Sequence, residues 1–581
     1  MATQREHTRP SAGVALRVLR RTRRAATRLV AVLPASLLVA ASLFAALHAM
    51  GFAPRLITAA PTLLPVDPDL SQRLAAAATA IGLAGVAAGL ARHKQVAWWV
   101  AVAALGAALP VQAGLLRHGP AAFLAAACLA VLVADRGRYR VETAGRSSRV
   151  ALLLWVTGLV TATAAIGLAA AATLRLAGLP MDARAAGDGM LSWTAFGNPV
   201  VGFPRWHEPA LVMAGTLAAR IVAVVGIIAA LAPGDFARED LGARAHADEV
   251  AARYGQGALL PFQLGPDTRR FSLPGRNGVL SYARSGRVAV VLGDPIGPAP
   301  EAELVFHAFV RDCVRHDWSP AVYQASAGAV HPLQAAGFVA YRIGREAVVD
   351  LGSFTLAGSN RANLRHAVAR AARGGVTVRW YPRGLGAEAA AINQELAAVD
   401  ETWHRAHGPR MQFTVGAYQP SDLVENPVAI ARDAHGAVVA FTTFRATGAD
   451  GGWVLNLLRR VPDCIPGAVE ACLVAAAEGL RADHAATLSL GLAPLSGLDP
   501  GRGPLVERLL AVGTRLARRV YDVDGLAFFK GKFDPRWEPR YLAVRHRRQV
   551  ASVLLALARL HLGGSRGLIR FRPHLRPSLI R

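Results

Sequence analysis

Phe528-Phe529-Lys530-Gly531-Lys532-Phe533-Asp534-Pro535-Arg536-Trp537-Glu538-Pro539-Arg540-Tyr541-Leu542 holds two of the only three lysines in this 581-residue chain. Elsewhere positive charge is supplied almost entirely by arginine. A compact ammonium and a planar guanidinium are different tools, so a lysine pair kept in one place points to a site that needs an ammonium. Lys530 and Lys532 are therefore the first candidate functional residues.

Working outward, the chain changes character near Ala232. Before it run long Ala/Leu/Val segments; after it the sequence reads as an α/β protein of ordinary polarity. The overall 53% hydrophobic content is thus a mixture of an apolar block and a globular block. Six apolar segments, near 29–50, 74–91, 96–116, 120–134, 150–177 and 210–232, are candidate membrane spans, the fourth being short for a bilayer. Residues 1–28 carry eight arginines against Glu6, and the connection after the fourth segment carries Arg136, Arg138, Arg140, Arg146 and Arg149. Alternate connections balance their charges. The positive-inside rule then puts both ends of the block, and the globular half, in the cytoplasm. The expected organisation is a basic tail at 1–28, an α-helical multi-span membrane domain at 29–232, a linker at 233–250, an α/β region at 251–545 and a basic tail at 546–581. The net charge of +26 suits this topology and also an anionic lipid or RNA partner.

In the globular half, Gly278–Ala283 and Arg287–Leu292 read as strands, the second ending in the turn Gly293-Asp294-Pro295-Ile296-Gly297-Pro298. A helical stretch at 301–316, a strand at Pro320–Gln324 and another at Ala347–Leu351 complete a small mixed unit. The order then recurs: helices at 360–373, 387–404, 467–483 and 504–520, with strands at Val376–Trp380, Val438–Phe444, Trp453–Leu458 and Thr487–Leu490. Two α/β units in tandem are expected. The helix at 360–373 bears Arg361, Arg365, Arg370 and Arg373 and no acid, which fits phosphate contact or a solvated face. The stretch from Arg545 to Arg581 has nine arginines and no acid, and Val550–Leu562 within it is amphipathic. The four cysteines show no CxxC spacing, which argues against a zinc site or disulfide framework. His404 and His407 lack the further ligands that a metal site needs.

Five motifs occur in a fixed order: Gly293-Asp294-Pro295-x-Gly297; Tyr323-Gln324; Leu457-Leu458-Arg459; Leu490-Gly491-Leu492-Ala493-Pro494-Leu495-Ser496; and Phe529-Lys530-Gly531-Lys532-Phe533-x-Pro535-x-Trp537-Glu538-Pro539-x-Tyr541-Leu542. Together, over roughly residues 250–545, they resemble the phosphatidylglycerol lysyltransferase family, also called multiple peptide resistance factor. The resemblance implies tandem acetyltransferase-like (GNAT-like) domains on the cytoplasmic face of the plasma membrane. It implies transfer of an aminoacyl group from aminoacyl-tRNA to phosphatidylglycerol, without a cofactor or metal, making the membrane less anionic. Homo-oligomerisation is left open.

On this reading Arg459, Lys530, Lys532 and Ser496 are the catalytic candidates. Asp294, Tyr323, Gln324, Asn456, Glu538, Arg361 and Arg365 are the substrate-binding candidates, with turn capping as the plainer role for Asp294. The ester of aminoacyl-tRNA is already activated, so the site has to align a hydroxyl with a carbonyl, steady an oxyanion and hold phosphates.

The chain departs from the family pattern in three ways. Asn456 stands where many relatives have Asp, which removes a carboxylate that would read a substrate ammonium. The transferred residue is thus open between lysine, alanine and others. An acidic residue common in relatives after Trp403-His404-Arg405-Ala406-His407-Gly408 is replaced near Arg410. The membrane block is shorter than in members that flip the product lipid, and no tRNA-synthetase domain follows.

The alternatives are a coenzyme A-dependent acyltransferase on the same fold and a non-catalytic membrane protein. Coenzyme A enzymes cradle pyrophosphate on an Arg/Gln-x-x-Gly-x-Gly/Ala loop. The one match, Arg184-Ala185-Ala186-Gly187-Asp188-Gly189, falls in a predicted external connection rather than in the globular half.

Overall fold

The computed structural model describes residues 70–110, 119–141, 241–408, 410–498 and 523–564, with a few positions within 35–40 and 221–231. The chain divides into two compact units, one up to Phe236 that also takes in Arg315–Asp317, the other comprising Ala237–Val314 and Trp318–Arg581.

In the first unit, α1 (Leu70–Ala91), α2 (Gln95–Pro110) and α3 (Gly119–Ala134) coincide with three of the six apolar segments. Alanine and leucine are strong helix formers and make up half or more of each of these helices. Val86, Leu90, Ala97, Trp98, Ala101 and Leu132 form their shared core, and the Trp98 indole donates to the Leu132 carbonyl at 2.7 Å. At 16 residues each, α2 and α3 fall short of the ~20 residues that a bilayer crossing takes. Among the described residues no helix is long and apolar enough to cross a membrane. The candidate spans near 29–50, 150–177 and 210–232 lie outside the described residues apart from the few positions named above. So do the N-terminal tail, the segment 184–189 and the expected helix at 504–520.

The second unit is built on one 11-stranded sheet. It begins with α4 (Leu241–Tyr254), which occupies part of the expected linker and buries Ala247, Val250 and Ala251, and the short α5 (Leu260–Gln263). Then come β1 (Arg269–Ser272), β2 (Val279–Ser285), β3 (Val288–Leu292), α6 (Ala299–Arg315), β4 (Ser319–Ala325), α7 (Val330–Ala335) and β5 (Val339–Asp350). The second half runs α8 (Ala362–Arg373), β6 (Thr377–Tyr381), α9 (Ala389–His407), α10 (Asp422–Glu425), β7 (Val428–Arg432), β8 (Val438–Ala446), β9 (Trp453–Arg460), α11 (Ala468–Ala482), β10 (Thr487–Pro494), α12 (Val523–Gly531) and β11 (Arg536–Val544). A last helix, α13 (Val550–His561), buries Val550, Val553, Ala556 and Leu557 against β2 and β3. The packed unit therefore continues past residue 545 into what reads as a basic tail.

Each half contains one parallel pair joined by a helix, β3/β4 through α6 and β9/β10 through α11. The sheet order is β1-β2-β3-β4-β11-β5-β10-β9-β8-β7-β6. The last strand of each half has thus crossed into the other: β11 lies beside β4, and β5 lies beside β10. At the centre β5 and β11 pair antiparallel from Arg536↔Val348 to Val544↔Val339. The tandem units expected from the sequence are present, but neither half completes its own sheet.

Strand β11 contains Pro539, which lacks a ladder donor and argues against a central strand. It is tolerated because residues 536–540 pair with β5 alone; pairing with β4 starts only at Tyr541, after a register shift. The exchange predicts that residues 241–358 expressed alone will lack a cooperative thermal transition, because β4 and β5 would present unpaired edges. Co-expression with residues 359–564 should restore the transition, read by circular dichroism.

Candidate active site

Strands β9 and β10 share only two residue pairs, Trp453 with Leu488 and Val454 with Ser489. Beyond Ser489 they part. β9 stays with β8, while β10 follows β5 through a bulge in which Leu490 and Gly491 together face Ala347. Gly491 has φ +80°, a region that glycine enters without the clash a Cβ brings. The parted strands form the walls of a cleft of about 1640 Å³.

On the β10 wall, α12 sends Phe529 into the core and presents the next side chain, Lys530, to the cleft. Lys530 is only 6% exposed. Its Nζ donates to the Gly491 carbonyl at 3.0 Å and the Leu492 carbonyl at 2.8 Å. Burial pulls its pKa down to about 7, against the opposing pull of Glu346. Two of three Nζ directions are taken by carbonyl acceptors. The third carries a proton in the ammonium and a lone pair in the neutral amine. Lys532 is used differently: it donates to Glu470 at 2.8 Å and lies 5.6 Å from the ring centres of Phe528 and Phe529.

On the β9 wall stands Arg459. Its Nε donates to Asp400 Oδ1 at 2.7 Å, and its guanidinium lies 5.8 Å from the Trp403 ring centre. Helix α9 supplies both partners. Leu396, Val399 and Asp400 are buried, while Trp403 and His404, within the next turn, line the cleft. Asp400 also accepts from Arg410 Nη1 at 2.7 Å and has His404 Nε2 at 3.4 Å. Burial raises the Asp400 pKa, but the hydrogen bonds from His404 and Arg459 and their charge outweigh it and hold it at about 2. His407 stacks on Trp403 at 3.6 Å, and burial lowers its pKa.

The remaining candidates divide. Asn456, Tyr323 and Gln324 line the cleft. Asn456 donates to Thr443 Oγ1 at 3.3 Å, and Tyr323 lies against Phe413 and His561. Gln324 is buried and held at φ +63°, a conformation costly for a residue with a side chain. Arg361 and Arg365 do not line it; they donate to the carbonyls of Thr355, Leu356 and Gly358 in the preceding loop. The cleft face of α8 is instead Asn363, His366, Ala367 and Arg370, the i, i+3, i+4, i+7 set. Asp294, Ser496 and Glu538 also lie outside the lining. Asp294 accepts the Ser326 amide at 3.1 Å, as a turn cap does. Ser496 donates to the Ala493 carbonyl at 2.8 Å, and Glu538 pairs with Arg536 at 2.8 Å.

Three carboxylates escaped the sequence reading, Asp400, Glu346 and the Lys532 partner Glu470. Asp400 stands four residues before His404 on an amphipathic helix, a spacing that pattern alone could have flagged. Glu346 sits in mid-strand with no local signal.

Asp400 binds two guanidiniums from a site only 1% exposed, so Asp400→Ala should destabilise the fold by about 3–5 kcal/mol, read from denaturant midpoints. Its folded pKa lies below the unfolded value of about 3.9, so its contribution is full above about pH 4 and fades as pH falls towards about 2. The variant should accordingly lose less stability than the parent across that acid window.

The segment 249–544 matches the family model described as phosphatidylglycerol lysyltransferase, C-terminal. The phosphatidylglycerol lysyltransferase of Bacillus subtilis is 27% identical over 325 residues, 55% of this chain and 37% of that protein. The lysylphosphatidylglycerol biosynthesis bifunctional protein LysX of Mycobacterium ulcerans is 29% identical over 329 residues, 53% of this chain and 29% of that protein. The chain thus spans well under half the length of these curated relatives. The solved structure of L-PGS from Bacillus licheniformis is 27% identical, with a TM-score of 0.49, covering 56% of this chain and 98% of that one. With the family model matched over half its length, the chain belongs to the phosphatidylglycerol lysyltransferase C-terminal family.

Proposed function

We propose that this protein transfers an aminoacyl group from aminoacyl-tRNA to a glycerol hydroxyl of phosphatidylglycerol, with the cleft between β9 and β10 as the active site. The observation that carries the reading is a buried lysine, Lys530, held by two backbone carbonyls where two parallel strands part. The sheet halves are read as acetyltransferase-like units, of which the second keeps its parallel pair open for a substrate. In the first half β3 and β4 stay paired from Val288↔Ser319 to Leu292↔Tyr323.

The reaction is a transesterification. The acceptor oxygen bonds to the ester carbon, the bond from that carbon to the ribose oxygen of the tRNA end breaks, and one proton moves from acceptor to leaving oxygen. Neutral Lys530 takes the acceptor proton, and its ammonium returns one to the ribose oxygen. Gly491 and Leu492 hold two of its N–H groups and so aim the remaining position. Arg459, kept charged and oriented by Asp400, stabilises negative charge on the tetrahedral oxygen or on a neighbouring phosphate. His366, Arg370 and Arg460 offer a basic wing for the terminal phosphates of the tRNA. Asn456 presents a neutral amide where a carboxylate would select a second positive charge, so the identity of the amino acid is left to the assay.

The apolar segments before residue 232 and their arginine-rich connections support a multi-pass anchor in the plasma membrane with the catalytic unit on the cytoplasmic side.

The test supplies membranes containing the full chain with phosphatidylglycerol and labelled aminoacyl-tRNAs, one amino acid at a time. Label should enter the organic phase, and ribonuclease pretreatment should abolish it. Lys530→Met should lower the rate by about 10²–10⁴-fold. Activity should rise with pH through about 7, because the working form of Lys530 is the neutral one. No lipid label from any aminoacyl-tRNA, with folded protein present, would sink the reading.

A further inference from the structure

A buried polar cluster that the mechanism above does not use reaches the cleft through Glu346, one of its lining residues. Glu346, on β5, is 3% exposed. Its Oε1 accepts from the Ser489 hydroxyl at 2.5 Å, and its Oε2 accepts from Arg540 Nε at 2.7 Å. The Ser489 hydroxyl oxygen accepts in turn from the Gly491 amide at 3.1 Å. Gly491 is the bulge residue whose carbonyl holds Lys530. An unbroken chain of hydrogen bonds therefore runs from Arg540 through Glu346, Ser489 and Gly491 to Lys530.

The register explains why these residues meet. Ser489 is the last β10 residue paired with β9, and the bulge starts immediately after it. On the far side of the bulge Leu492 pairs with Glu346 itself, so Glu346 closes the bulge that Ser489 opens. Arg540 comes from β11, the strand that crosses from the other end of the chain.

We infer that Glu346 is a positioning residue for the transfer reaction: through Ser489 it fixes the Gly491 bulge whose carbonyl holds Lys530, and its carboxylate charge bears on that ammonium. The inference rests on the proposed role of Lys530. Among the described residues, the other charged groups on the elements around Lys530 have their own contacts: on β5, Arg345 lies over the Trp537 ring, Arg342 donates to the Gly497 carbonyl and Asp350 accepts the Gly352 amide. Glu538 and Arg536 on β11 pair with each other, Lys532 pairs with Glu470 of α11, and Arg459 on β9 pairs with Asp400. Arg540 is held by Glu346, with Glu538 at 3.7 Å. Glu346 is the carboxylate that acts on Lys530, and it favours the protonated form. Removing its charge should make Lys530 easier to deprotonate and free the bulge to move.

The test uses the full chain in membranes and exploits its three lysines. The rate at which Lys530 is labelled by an amine-reactive anhydride is followed against pH by mass spectrometry, with Lys532 as internal reference. In Glu346→Gln the Lys530 midpoint should move to lower pH by about half a unit or more, with the Lys532 curve unchanged. In the transfer assay kcat should fall about tenfold or more while KM stays within about twofold, and the acid limb of the pH profile should move with the labelling curve. An unmoved Lys530 midpoint in a folded variant overturns the inference, even if transfer is active in the parent. A moved midpoint in a parent that transfers nothing keeps the tuning of Lys530 and sinks the aminoacyl-transfer reading instead. If Glu346→Gln does not fold, Ser489→Ala cuts the link to the bulge while leaving the Glu346–Arg540 pair. It should lower kcat about tenfold at constant KM, and an unchanged kcat overturns the inference.

Discussion

The parting of β9 from β10 is the constraint on which the rest of this site depends. Two parallel strands that stayed paired to their ends would present a closed ladder, as β3 and β4 do in the first half. Here the ladder stops after Ser489, and the bulge at Leu490 and Gly491 turns two backbone carbonyls towards one side chain. Those carbonyls can serve a buried lysine because they ask for N–H donors without supplying a countercharge. A carboxylate in their place would pin the ammonium in its charged form. The low-dielectric setting lowers the pKa of Lys530.

The strand exchange at the sheet centre makes that arrangement rigid. β5 brings Glu346, β11 brings Arg540, β10 brings Ser489 and Gly491, and α12 brings Lys530. Four elements, contributed by both halves of the unit, converge on one bulge. A single half folded by itself would hold the lysine and its carbonyls without the Glu346 that closes the bulge. Opposite, Arg459 is locked by a carboxylate buried on α9, with Trp403 over its plane. The two walls thus hold their cations differently: Lys530 donates to two backbone carbonyls, whereas Arg459 is paired with a buried carboxylate.

Much of this was legible from the residues. The amphipathic runs placed α6, α8, α9 and α11 close to their observed bounds, since their apolar faces pack on the sheet as the 3.6-residue period requires. The scarcity of lysine pointed to the pair Lys530 and Lys532 without choosing between them, and the strand-end position pointed to Arg459; the structure brings all three to the cleft lining. What escaped has identifiable causes. Short β1 and β7 carry weak local patterns, and β11 reads as broken by Pro539 because its one-sided pairing is not a local property. Arg361 and Arg365 looked like phosphate ligands because charge on a helix does not tell which face is turned to the cleft. Their guanidiniums satisfy loop carbonyls, and Arg370 on the neighbouring face takes the cleft side.

The sequence by itself determined the division into an apolar and a globular half, the tandem α/β character of the latter, the family and a short set of candidate cations. These follow from composition, periodicity and short contiguous motifs, which are properties of neighbours along the chain. Only the tertiary structure decided that β5 and β11 change places, that β10 bulges where β9 leaves it, and that Glu346 and Asp400 complete the two walls. Those outcomes depend on pairing between residues far apart in the chain, Glu346 with Ser489 across 143 positions and Arg540 with Glu346 across 194. Burial then sets the proton affinity of Lys530, and burial exists only once the strands have closed around it.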